Sequence, residues 1–146
     1  MTYLTGLVPA VVGAACAAYL GNRLLFRLAG RQAAVAAVPW WEEACKLAAT
    51  LLVPGVPMLF VHVLFGSLEF GYDWWRSSNH GLFLGVMSLA GHGLFGGLAM
   101  LVHNGTGNLW WAYIMAGLSH LIYNMAVLHL VLPTLGAGAA TRLDKR

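Results

Sequence analysis

Two pairs of residues spaced by four are placed to do chemistry: Glu42 with Lys46, and His120 with Asn124. Residues four apart are neighbours on a helical surface, so each pair would project from one face. Glu42 and Lys46 read as a self-neutralising pair. That leaves Glu43 unpaired, about 100° further round the helix. Two adjacent carboxylates in a low-dielectric setting resist joint ionisation, so one is expected to be poised for proton transfer near neutral pH. His120 and Asn124 offer an imidazole and an amide, donors able to face a developing oxyanion. As a clamp between membrane helices such a pair is worth only about 0.6 kcal/mol. Glu69 adds a third carboxylate. His92 adds a second imidazole between Gly91 and Gly93, small neighbours that let a backbone or a substrate approach.

The surroundings make these residues informative. Of 146 residues, 60% are hydrophobic and 9% charged, with a mean hydropathy of +0.72. A soluble domain carries about 25% charged residues. Lipid leaves unpaired backbone groups no partner, so the chain is expected to be all-α, a polytopic transmembrane helical bundle of four to five membrane helices. One integral membrane domain covers 1–146. A charge at the bilayer centre costs at least about 2.5–3.5 kcal/mol. Of the five acids, Asp73 and Asp144 fall in loops, whereas Glu42, Glu43 and Glu69 fall inside apolar segments. Lys46, His62, His92, His120, Asn124 and His129 do likewise. His62, His80, His103 and His129 lie nearer segment ends or at odd phases and read as interfacial or structural.

Five apolar stretches can be drawn: Leu4 to Leu28, Ala33 to Val53, Gly55 to Tyr72, His80 to Val102 and Leu109 to Leu132. A span needs about 17–25 residues, which puts the third at the short limit. Pro54-Gly55-Val56-Pro57 marks a tight turn, and Asn104-Gly105-Thr106-Gly107-Asn108 reads as a loop. Trp74-Trp75 and Trp110-Trp111 suit the membrane interface, whereas Trp40-Trp41 follows Pro39 and reads as either interfacial or deeper. Gly81-x-x-x-Gly85 and Gly93-x-x-Gly96-Gly97 favour close helix packing. Arg23, Arg27, Arg31, Arg76, Arg142, Lys145 and Arg146 fall on one side of a five-span arrangement, which predicts a cytoplasmic C-terminus. The formal charge of +3 carries no basic stripe interleaved with aromatics, which excludes a nucleic-acid partner. Cys16 and Cys45 read as small buried thiols. No cleaved signal peptide is expected, since the first apolar run continues as a long span.

With these spans, His92 and His120 each lie about 18 Å into their helices. Glu42 and Glu43 lie near mid-helix or in the cytoplasmic half, and Glu69 near a cytoplasmic end. All are expected to line one cavity open to the cytoplasm, a convergence of acids and imidazoles that suits hydrolysis.

The order of motifs carries a resemblance. Glu42-Glu43-Ala44-Cys45-Lys46 matches E-E-x-x-K, Phe65-Gly66-Ser67-Leu68-Glu69 matches F-x-x-x-E, and His92-Gly93-Leu94-Phe95 resembles a following histidine motif. His120-Leu121-Ile122-Tyr123-Asn124 matches H-x-x-x-N. Over about residues 38–130, this resembles the PrsW-like branch of the CAAX-protease and bacteriocin-processing (Abi) superfamily of intramembrane proteases. Lys46 stands where the CAAX branch has arginine. The resemblance implies that Glu42 activates water with Glu43 beside it, and that His120 and Asn124 stabilise the oxyanion. Glu69 takes the place of the CAAX-branch histidine, and His92 matches the extra PrsW-type histidine. The catalytic set is therefore Glu42, Glu43, Glu69, His92, His120 and Asn124, acting on a peptide bond in or near a prokaryotic inner (plasma) membrane. In a metal-dependent variant Glu69, His92 and His120 would supply a Glu/His₂ set suited to zinc. The expected partners are membrane lipid and a membrane-embedded or membrane-proximal peptide. A non-catalytic scaffold, a proton-linked carrier and a lipid-acting enzyme are the competing readings.

Overall fold

A computed structural model describes residues 3–76 and 80–131. The basic tail residues Arg142, Lys145 and Arg146 lie outside them. Helix α1 (Tyr3–Leu52) breaks at Gly30, whose φ of 71° and ψ of 174° are open to a residue without Cβ. The break folds the helix back on itself as two limbs, 3–29 and 31–52. Three contacts set their antiparallel register: Gly6 lies near Val53, Trp41 Nε1–H donates to Ala17 O at 3.2 Å, and Asn22 donates to Glu42. Leu7, Val11, Ala14 and Ala18 of the first limb bury against Cys45 and Ala49 of the second, and against Val53, Val61 and Phe65 beyond it.

The Pro54–Pro57 segment turns the chain through Gly55, at φ 87°, into α2 (Met58–Arg76). Its 19 residues reach about 28 Å. Helix α3 (Gly81–Thr106) runs four residues past the expected end, and Gly107 closes it by donating its N–H to His103 O at 2.7 Å. Asn108 then caps α4 (Leu109–Ala126) by accepting from the Trp110 N–H at 2.8 Å. The sequence-predicted loop 104–108 therefore shrinks to two residues, because capping lets both helices run to the turn. A π-helical segment, Val127–Val131, continues α4.

Helix α2 packs most extensively on α3, α3 on α4, and α1 closes the ring against both α2 and α4. Alternation of direction puts the start of α1, the Pro54–Pro57 turn and the 107–108 turn on one side. Gly30, the end of α2 at Arg76 and the start of α3 at Gly81 lie on the other. Among the described residues, three stretches are long and apolar enough to cross a membrane: Thr5–Gly30, Gly81–Thr106 and Leu109–His129. The remaining two rods, 31–52 and α2, carry Glu42, Glu43, Lys46 and Glu69. The bundle is a helical membrane protein whose outer face shows Leu20, Leu24, Leu101 and Ile122. Trp74, Trp75, Trp110 and Trp111 are exposed near helix ends. Trp40 instead lies within the bundle, edge-on to Tyr113 at 5.8 Å.

Two expectations about small residues are corrected. Gly93 and Gly97 face open space, so only part of the glycine pattern on α3 serves packing. Cys16 is exposed, and only Cys45 is buried.

Candidate functional site

The second limb of α1 delivers Glu42, Glu43 and Lys46 to the centre of the ring, all three buried. Lys46 does not pair chiefly with Glu42. Its Nζ donates to Glu43 Oε1 at 2.6 Å and stays 3.9 Å from Glu42 Oε2. Both contacts are open to a helix, at spacings of three and four, and partners on other helices decide between them. His120 of α4 donates Nδ1–H to the same Glu43 oxygen at 2.8 Å. His62 of α2 donates Nδ1–H to Met58 O at 2.9 Å, so a second hydrogen bridges its Nε2 and Glu43 Oε2 at 2.8 Å. Glu43, expected unpaired, is thus the most heavily bonded carboxylate of the cluster. Phe65 covers Lys46, its ring centroid 4.5 Å from Nζ.

Glu42 has looser company. Asn22, reaching from the first limb, donates to its Oε1 at 2.7 Å. Its other oxygen lies 3.7 Å from His120 Nε2. Because Nδ1 of His120 carries the hydrogen given to Glu43, Nε2 of the neutral ring presents a lone pair towards Glu42.

On the other side of the cluster His92 donates Nε2–H to Glu69 Oε2 at 2.7 Å, and Ser88 Oγ–H donates to the same oxygen at 2.7 Å. His92 Nδ1 is buried without a partner. The His92 and His120 rings meet edge to face with centroids 5.4 Å apart, and Phe95 stacks on His120 at 4.6 Å. The Glu69 side chain is 37% exposed while that of His92 is 3% exposed, so Glu69 is where the cluster meets the outside.

Five of the six sequence-predicted residues therefore come together: Glu42, Glu43, Glu69, His92 and His120. Asn124 is half-buried one turn beyond His120 and, among the described residues, has no hydrogen-bond partner in the cluster. A cavity of about 10 Å³, near the space of one water, lies towards the 107–108 side. Of the expected lining only Glu43 borders it, with His62, Thr50, Met58 and Tyr113. Sequence reasoning passed over Asn22, His62 and Ser88. His62 is neither exposed nor interfacial, and its spacing of seven from Glu69 put both on one face of α2. Ser88 stood four before His92 on α3. Asn22 had no comparable signal, because its partner lies across the Gly30 fold.

The donor set can also hold a divalent cation, and its composition differs from the sequence-predicted one. Ligand atoms of Glu42, Glu69 and His92 all lie within 4.8 Å of one another. His120 drops out because it is turned onto Glu43, and Glu42 takes its place. Two carboxylates and one imidazole fit zinc with one position left open. Two buried carboxylates and the part-exposed Glu69 against Lys46, the one permanent cation of the cluster among the described residues, leave it short of positive charge, which a bound cation or further protons would offset. No family model, curated protein or solved structure matches the chain.

Proposed function

We propose that the protein is an intramembrane peptidase of a plasma membrane, with its C-terminus in the cytoplasm and Glu42 as the group that activates water. The observation that carries this reading is the division of labour between adjacent glutamates. Both oxygens of Glu43 are engaged by Lys46, His62 and His120, whereas Glu42 keeps one oxygen without a close donor, facing the His120 lone pair at 3.7 Å. A base must be within reach of the proton it takes and must not already be spent on a cation.

In this mechanism Glu42 takes a proton from water as the oxygen adds to the scissile carbonyl carbon. The proton passes to His120 Nε2. The resulting imidazolium, backed by the Glu43 carboxylate, becomes a donor facing the oxyanion. It then gives the proton to the departing amine as the C–N bond breaks. Glu69, half open to the outside, and His92 hold the water side of the site. A metal-assisted form of the reaction is supported by the closeness of Glu42, Glu69 and His92. A cation there would polarise the bound water or carbonyl.

The test is cleavage of a membrane-inserted reporter peptide in ¹⁸O-labelled water. One ¹⁸O is expected in the new C-terminal carboxylate, and a cut without label would reject direct hydrolysis. Loss of cleavage on chelation, restored by zinc, selects the metal-assisted form.

A further inference from the structure

The two helices that frame the Glu69 opening carry the same turn. Tyr19-x-x-x-Arg23 lies on the first limb of α1 and Tyr72-x-x-x-Arg76 on α2. Both rods run in the same direction, away from the Pro54–Pro57 turn. The tyrosine rings meet edge to face, 6.3 Å apart at 62°. Each arginine lies over its own tyrosine, with the guanidinium carbon 5.8 Å from the Tyr19 centroid and 5.7 Å from that of Tyr72. Arg76 Nη1–H also donates to the Tyr72 hydroxyl at 2.8 Å.

Because each arginine is one turn past its tyrosine on parallel neighbours, the two like charges arrive at the same level of the same face. Both are exposed. Like charges delivered together by stiff rods repel, and an anion between them reverses the sign. A guanidinium over a ring keeps N–H donors for a carboxylate or phosphate, in Arg76 those not given to the Tyr72 hydroxyl. Trp74 and Trp75 on the adjoining turn are 63% and 89% exposed, as in the aromatic belt of a membrane interface. The phosphate layer of the bilayer lies at that level.

We propose that Arg23 and Arg76, over the Tyr19–Tyr72 pair, form a seat for the phosphate of an anionic phospholipid headgroup. The bound headgroup ties the limb that places Asn22 on Glu42 to the helix that carries Glu69, and so braces the mouth of the cluster. This does not rest on the hydrolytic reading.

The experiment offers the purified full chain in micelles phosphatidylglycerol, phosphatidylcholine of the same acyl chains, or inorganic phosphate, and counts retained lipid by native mass spectrometry. Phosphatidylglycerol is expected to be retained in preference to phosphatidylcholine. Arg23→Gln and Arg76→Gln should each weaken that retention about 5-fold, and the double variant about 25-fold. Arg23→Lys with Arg76→Lys keeps the charge, loses the fork and should fall between. Arg27→Gln, whose preceding turn carries Arg23 rather than a tyrosine, should change retention less than about 2-fold. Circular dichroism in the same micelles should be the same for all variants, since the substituted side chains are exposed. Undiminished retention in the double glutamine variant overturns the seat. So does an Arg27→Gln effect as large as the others, which would mean general surface charge. Displacement of the lipid by equimolar inorganic phosphate overturns the lipid assignment.

Discussion

Lys46 separates the two glutamates into different jobs. Its spacing from both is helical, so the local sequence is neutral between them. The choice falls to His62 and His120, which come from 19 and 77 residues away and take two of the three lone pairs that Lys46 leaves on Glu43. This is why the identities of the clustered residues were legible and their pairing was not. Removing the Glu43 charge strands Lys46 in a buried site. Glu43→Gln is expected to cost about 3–5 kcal/mol of stability in reversible unfolding in mixed micelles. Glu42→Gln keeps a hydrogen-bonding partner for Asn22 and should cost about 1 kcal/mol or less. If both variants lose the same stability, the asymmetry is absent. On the mechanism above, His120→Ala lowers kcat with little change in KM, because the ring acts on the transition state. Its steady-state kinetics with the reporter peptide check this, and a rise in KM at unchanged kcat would make His120 a substrate contact instead.

The limits of the helices are written mainly by Pro and Gly, and these were readable. The Pro54–Pro57 turn and the start of α4 fall where the residue types require. The position of the α3 end was less readable, because Asn104, Gly105 and Thr106 favour loops in isolation yet are held helical by the Gly107 cap. The glycine pattern on α3 divides similarly. A Cβ at Gly96 would meet the His62 Cβ at 2.6 Å, whereas one at Gly97 would meet nothing within 4 Å. Composition cannot distinguish these neighbours, since only the facing helix does. Gly96→Ala is expected to destabilise by about 1–3 kcal/mol by pushing His62 off Glu43. Gly97→Ala should be neutral or stabilising by up to about 1 kcal/mol. Equal effects in the same unfolding assay would mean that α2 and α3 do not approach as described.

At the scale of the molecule, five rods form a ring in which the apolar limbs face outward and the charged ones meet inside. Hydropathy made the membrane class legible. It also divided the chain near Gly30, between the stretches ending at Leu28 and starting at Ala33, but it did not show that the fold there brings Asn22 to Glu42, because the register of the two limbs is set by contacts across the turn. The alternation of rods sets Trp75 and Gly105 on opposite faces. With native cysteines removed, Trp75→Cys and Gly105→Cys in sealed vesicles should be labelled by a membrane-impermeant thiol reagent from opposite sides, Trp75→Cys from the cytoplasmic one. Labelling of both from one side would break the topology.

The proposed role of Glu42 as the base of a hydrolytic site in the membrane is tested by turnover of a membrane-inserted peptide by wild type and Glu42→Gln, with equal helical content and equal substrate binding verified for both. Turnover is expected to fall at least about 100-fold while binding stays nearly unchanged, because a base acts in the transition state. Equal cleavage by the two proteins would contradict it.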